Sequence, residues 1–139
     1  MRIFALLATL ALAATPSPAA FAAGGPAGRY QVDVDATYRA LDEAGAATPG
    51  MHDTLTKQRD MMFLSFDGDR FSLIAGPGLG GGTKGTCHWT LSSDVFVFDD
   101  CRNDQGGAFS VDGVIRYLAE EDMLMIEGNL AVPVRYSRR

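Results

Sequence analysis

From Met61 onward the chain is interrupted by turn residues so often that no long helix fits. Met62, Leu64 and Phe66 alternate with other residues up to Asp67-Gly68-Asp69, and Phe71, Leu73 and Ala75 alternate after it. Glycine accepts the positive φ of a tight turn, so these two runs make a hairpin. A second hairpin is expected over residues 86–91 and 95–101 around Ser92-Ser93-Asp94. A third joins residues 109–118 to 123–127 across residues 119–122, and Gly128-Asn129 turns the chain into a last run, 130–136. Residues 29–34 open the series, with Tyr30, Val32 and Val34 alternating against Arg29, Gln31 and Asp33. About eight short strands at this spacing point to a mainly β fold, an antiparallel meander forming a closed or partly open barrel.

A helical insert separates the first run from the hairpins. Ala36, Ala40, Leu41 and Ala44 recur at helical spacing, with Asp35 as N-cap and Gly45 as the stop. Thr48-Pro49 then reads as an N-cap followed by proline at the first helical position, with Met51, Leu55 and Met62 close to one face of a second helix.

Ahead of this domain, Arg2, the apolar run over residues 3–14 and the small-residue site Ala20-Phe21-Ala22 have the layout of a secretory signal peptide. Residues 1–22 are expected to be removed, leaving residues 23–139 as one exported domain, periplasmic or secreted, with no cysteine placed to carry an N-terminal lipid. No later apolar run approaches the length of about 18 residues that a spanning helix needs. Of the 12 basic and 17 acidic residues only Arg2 belongs to the leader, so the mature balance is 11 against 17, a net charge of −6. Such a surface repels polyanions, which excludes nucleic acid as an expected partner.

Cys87 and Cys101 are the only cysteines, and an oxidising compartment lets them pair. Direct cross-strand pairing of the two places Leu91 opposite Val97 and Trp89 opposite Asp99. A loop of two residues does not allow that register; a longer odd loop or a bulge does. Thirteen intervening residues are not the C-x-x-C of a redox pair, and Cys87-His88 with distant His52 lacks an ordered zinc pattern, so no metal and no cofactor are expected.

Residues 76–85, GPGLGGGTKG, imitate a phosphate-binding loop without matching one. That loop requires glycine directly before its lysine and serine or threonine after it, whereas Thr83 precedes Lys84 and Gly85 follows. The segment is read as a flexible connection carrying Gly76, Gly78, Gly80, Gly81 and Gly82, or as a flap over a barrel mouth. No serine lies in G-x-S-x-G, and His52 and His88 are the only imidazoles, so no catalytic residue is assigned. Carboxylates such as Asp67, Asp69, Asp99, Asp100 and Asp122 sit at turns or strand ends, where acids serve turn geometry and solubility. The aromatic residues remain. They either pack a small barrel or, in a barrel left partly open, line an apolar pocket, with Phe63, Phe71, Trp89, Phe96, Phe98 and Tyr117 as the candidate lining.

The Gly-x-Tyr-x-Val-Asp opening at residues 28–33, the helical insert, and Gly85-Thr86-Cys87-His88-Trp89 together resemble small exported lipocalin-like domains. That resemblance implies a β-barrel over nearly all of the mature chain and carries no ligand-contact residue with it. Exported lysozyme inhibitors are also small disulfide-bearing barrels, but their serine-glycine loop motif followed by tyrosine is missing here. The expected function is noncatalytic binding of a small apolar ligand or an envelope component, with helical insert and glycine loop near one mouth. The alternative is a protein-binding inhibitor or immunity-type protein that uses its loops, the barrel serving as scaffold.

Overall fold

The computed structural model describes residues 25–139; the expected signal peptide lies outside them. Eight antiparallel strands follow one another around a closed barrel, each paired with its neighbours in sequence, and the last returns to the first. They are β1 (Gly28–Val32), β2 (Met62–Asp67), β3 (Arg70–Ala75), β4 (Thr83–Ser92), β5 (Val95–Asn103), β6 (Ile115–Leu118), β7 (Met123–Ile126) and β8 (Val134–Arg138). The helices α1 (Val34–Glu43) and α2 (Met51–Arg59) lie between β1 and β2. Antiparallel order puts both helices, the glycine segment after β3 and the loops after β5 and β7 at one end. The tight turns after β2, β4 and β6 occupy the other.

The first hairpin forms as expected, and its register runs from Met62 opposite Ala75 to Asp67 opposite Arg70 around a Gly68-Asp69 turn, so Leu64, Phe66 and Phe71 turn inward. The helix boundaries differ from the sequence reading. Asp33, not Asp35, caps α1: its backbone is extended and its carboxylate accepts from the Ala36 amide at 2.9 Å. The other end follows the expected stop. Gly45, at φ +67°, donates to Asp42 O while Ala46 donates to Leu41 O, a Schellman closure that buries Leu41 beside Ala46. For α2 the cap is Gly50 rather than Thr48, and the Thr48 carbonyl accepts from the Met51 amide instead. Met62 belongs to β2, not to this helix.

Two apolar clusters result. Tyr30, Leu64, Phe66, Phe71, Cys87, Trp89, Phe96, Ile115, Tyr117 and Leu124 fill the barrel, and Val32, Val34, Leu41 and Leu55 pack the helices onto its end, with Tyr136 touching both. Thr37, wholly buried, fixes α1 to the last strand: its Oγ1 accepts from the Arg135 amide at 3.0 Å, and the Asp33 amide donates to Arg135 O.

Cys87 and Cys101 form the expected disulfide. The register around it corrects the direct pairing. Trp89 stands opposite Phe98 and Leu91 opposite Phe96, because the turn is the two-residue Ser93-Asp94 with Ser93 at φ +60°. The register then shifts between Thr86 opposite Arg102 and His88 opposite Asp99, so β5 carries one extra residue at Asp100, whose φ is +47°. That bulge brings Cys101 to Cys87.

The third hairpin is shorter than expected. Residues 109–114 are loop, since Gly113 at φ +95° breaks the run, and the last strand starts at Val134, not Leu130. The glycine connection is shorter too, because β4 begins at Thr83. Its remainder is folded back on itself: a 3₁₀ turn spans Pro77–Leu79, Gly81 donates to Gly76 O, and Ala75 donates to Gly82 O. Gly76 donates to Met61 O and lies so close to α2's exit that a Cβ would strike the Asp60 carbonyl oxygen.

Candidate functional site

Of the two alternatives for the aromatic residues, core packing or pocket lining, packing describes most of them, which meet mostly each other. Phe66 sits at the centre, with ring centroids 5.4 Å from Phe71, 5.6 Å from Trp89, 5.0 Å from Phe96 and 5.8 Å from Tyr30. Phe98 packs on Phe71 at 4.7 Å and stacks on Phe96. Tyr117 reaches Phe96, while its hydroxyl donates to Asp122. The indole N–H of Trp89 donates to Gly68 O in the first hairpin turn at 3.0 Å. Phe71, Trp89, Phe96, Phe98 and Tyr117 are therefore brought together, as parts of one core. Phe63 is not among them. The alternation that turns Leu64 and Phe66 into the barrel turns it to the outer face, where it is still only 5 % exposed, covered by the guanidinium groups of Arg29 and Arg139 at 5.3 and 5.6 Å from its ring centroid.

At the hairpin end a polar knot closes the barrel. Asp122 Oδ1 accepts from Tyr30 at 2.5 Å and Tyr117 at 3.2 Å, and Oδ2 meets Arg138 Nε at 2.7 Å. Burial, then the hydrogen bond to Asp122, push the Tyr30 phenol up to about 12. Burial acts on Asp122 in the opposite sense to its outcome: it raises the carboxyl, but the hydrogen bonds from Tyr30, Arg138 and Tyr117 and the Arg138 charge together bring it below its usual value. Sequence reading placed Asp122 among turn acids and missed the knot. The available signal was Tyr30, an inward tyrosine on the opening strand whose hydroxyl required a partner.

Two pH limits follow. The Asp122 contribution is present above the ordinary carboxylate pKa of about 3.9 and is lost as pH falls through its depressed folded value. Asp122→Asn should lower the thermal midpoint at neutral pH and flatten its fall in acid. The Tyr30 contribution is present below its ordinary pKa of 10.0 and disappears as pH rises toward about 12. Thermal melts between pH 9 and pH 12 should show a decline that Tyr30→Phe makes shallower; an unchanged slope contradicts this assignment.

Two clefts on the surface of the described residues bear on function. One, of about 460 Å³, runs between α2 and the segment leading into β8, with Met51, Leu55, Leu130 and Val134 as apolar lining. The other, of about 430 Å³, lies between β5 and the loop before β6, lined by Phe96, Phe98, Asp99, Asp100, Phe109 and Val111 among others. It sits where the barrel is least knit, since β5 and β6 share the single ladder pair Val95 with Arg116. Phe109 enters here because β4 has no side chain at Gly85. A Cβ there would come within 2.5 Å of its ring. Gly85→Ala should cost about 1–3 kcal/mol by overpacking. Combining it with Phe109→Ala should recover part of that loss in a double-mutant cycle of urea melts; strict additivity would contradict the packing.

No protein family, characterised protein or solved structure matches this chain. Its chemistry is that of its own side chains. His88 stays on the outer surface, as expected of a residue between Cys87 and Trp89, with Nε2 3.0 Å from Asp69 and Nδ1 3.2 Å from Asp99. His52 lies 3.4 Å from Asp35. Among the described residues no group of three or more His, Cys, Asp or Glu side chains is arranged to hold a metal ion, and no helix is long and apolar enough to cross a membrane.

Proposed function

We propose that this is a noncatalytic, exported binding domain on a lipocalin-like barrel, which engages a protein partner of the cell envelope through its outer surface. The observation that carries this reading is the packed interior. Tyr30, Phe71 and Leu124 are no more than 1 % exposed, and the polar atoms of Tyr30, Trp89 and Tyr117 are engaged inside the fold. A barrel filled in this way is a packed core rather than a ligand cavity. What remains is an acidic surface with loops at one end, a format suited to an inhibitor or immunity-type protein that meets a basic partner.

Both cysteines are held in the disulfide, and both histidines face aspartates. That arrangement supports the noncatalytic part of the proposal. A small apolar ligand is the second reading, and the α2 cleft, not the barrel, is the feature that favours it.

Immobilised protein challenged with an envelope extract tests the first reading. One partner held in stoichiometric amount and released as salt rises is the expected outcome. No such partner, together with saturable and competable binding of an apolar dye, transfers the function to the α2 cleft.

A further inference from the structure

We propose that the seam between β5 and β6 accepts an extended basic segment of a partner protein as an added strand. The proposal rests on the partner-binding reading and names its site. On one side β5 is laddered to β4 over almost its whole length. On the other, its partners among the described residues are Arg116, opposite Val95, and Ala108, bridged to Arg102. Between those points, on that side, residues 96–101 have no strand beside them among the described residues, and no backbone hydrogen bond from a described turn or loop reaches them. An open edge of this kind recognises one thing well, another extended backbone, which gains main-chain hydrogen bonds by lying alongside it.

The cleft supplies the rest of the recognition. Its floor is aromatic, from Phe96, Phe98 and Phe109, and its far wall is the Val111 loop. The rim carries two carboxylates, Asp99 and Asp100, whose side chains are 67 % and 77 % exposed; they face His88 at 3.2 Å and Arg102 at 3.5 Å, surface pairs that a basic segment can replace at little cost. Alternate residues of a strand point to opposite sides. An inserted segment that alternates apolar and basic residues therefore sets one set on the phenylalanines and the other toward the aspartates. A second copy of this chain fits less well. Pairing β5 with its own equivalent brings the Asp99-Asp100 pairs of two acidic chains, each of net charge −5, to the same seam, where like charges repel.

The probe is an end-capped peptide of about seven residues alternating lysine and valine, long enough at about 3.3 Å per residue to span the open edge. Fluorescence anisotropy with the purified protein at low salt should show saturable binding. Amide hydrogen exchange should slow at residues 97–101. Methylating alternate peptide nitrogens along one edge should weaken binding at least about tenfold, the loss of one or more net hydrogen bonds. Asp99→Asn combined with Asp100→Asn keeps residues of similar shape and should weaken binding several-fold with a flatter salt dependence. No binding, indifference to methylation, or protection mapped elsewhere overturns the proposal. So does self-association that protects residues 97–101, which gives the edge to a second copy. A natural partner that binds without slowing exchange there overturns the seam alone and leaves the partner-binding reading standing, whereas failure to capture any partner counts against that reading and not against peptide binding at the edge.

Discussion

Phe66→Ala should lower the stability of the domain by about 3–5 kcal/mol, the loss typical of a buried aromatic replaced by alanine. For a chain of this size that is a fall in thermal midpoint of roughly 10–25 °C. The size of the effect comes from position. Phe66 is 2 % exposed and touches the rings of Tyr30, Phe71, Trp89 and Phe96, so its removal leaves a void lined from four strands besides its own, β1, β3, β4 and β5. The turn behind it is stiff, with Trp89 tied to Gly68 O, and collapse to fill the void is resisted. Phe63→Ala on the outer face of the same strand is the control. Phe63 is 5 % exposed, but it is covered by the long side chains of Arg29 and Arg139, which can close over the gap, so its loss should cost less than that of Phe66. Equal losses for the two would contradict the division of β2 into a core face and an outer face.

Replacing both cysteines with serine should cost about 3 kcal/mol, the entropic value for a loop of about 15 residues, and lower the thermal midpoint by roughly 10–15 °C. The two cysteines are 14 positions apart. Their bond crosses the hairpin where its ladder is shifted by the Asp100 bulge, and where β5 lacks a strand on its other side. Loss of the bond should therefore loosen residues 96–103 before the rest of the barrel. Far-ultraviolet circular dichroism should keep its β signature, because the aromatic core is intact, while amide exchange accelerates in the second half of β5. Nonreducing mass spectrometry of the unmodified protein should find no free thiol; two free thiols, or a shared metal, would contradict the bridge.

The barrel was legible because its period is simple. Met62, Leu64 and Phe66 alternate, a glycine turn follows, and Phe71 begins the answering strand, so the hairpin and its inward face follow from the same residues, while the pairing of Asp67 with Arg70 sets the register. The hairpin with the disulfide was legible only up to a choice. A longer loop and a two-residue turn with a bulge displace the pairing by the same single residue, and only the backbone at Asp100 distinguishes them. Phe109 illustrates a different limit. Its neighbours alternate like a strand, but its ring is drawn into the barrel by the missing side chain of Gly85, twenty-four positions away, a tertiary effect that local pattern does not register. The Asp122 knot joins Tyr30 to a turn 92 positions later, and periodicity carries no information about such a pair. Phe63 was a candidate for the pocket on composition alone, and the alternation of its own strand already placed it outside.

Trp89, the only tryptophan, gives the most direct test that the barrel interior is a packed core rather than a binding cavity. It is 8 % exposed, between Phe66 and Phe96. Its emission should be blue-shifted, weakly quenched by acrylamide, and unmoved by saturating apolar dye or fatty acid. A saturable, competable shift or quenching of Trp89 by such a ligand would contradict the account, because it would put the ligand where the structure puts side chains.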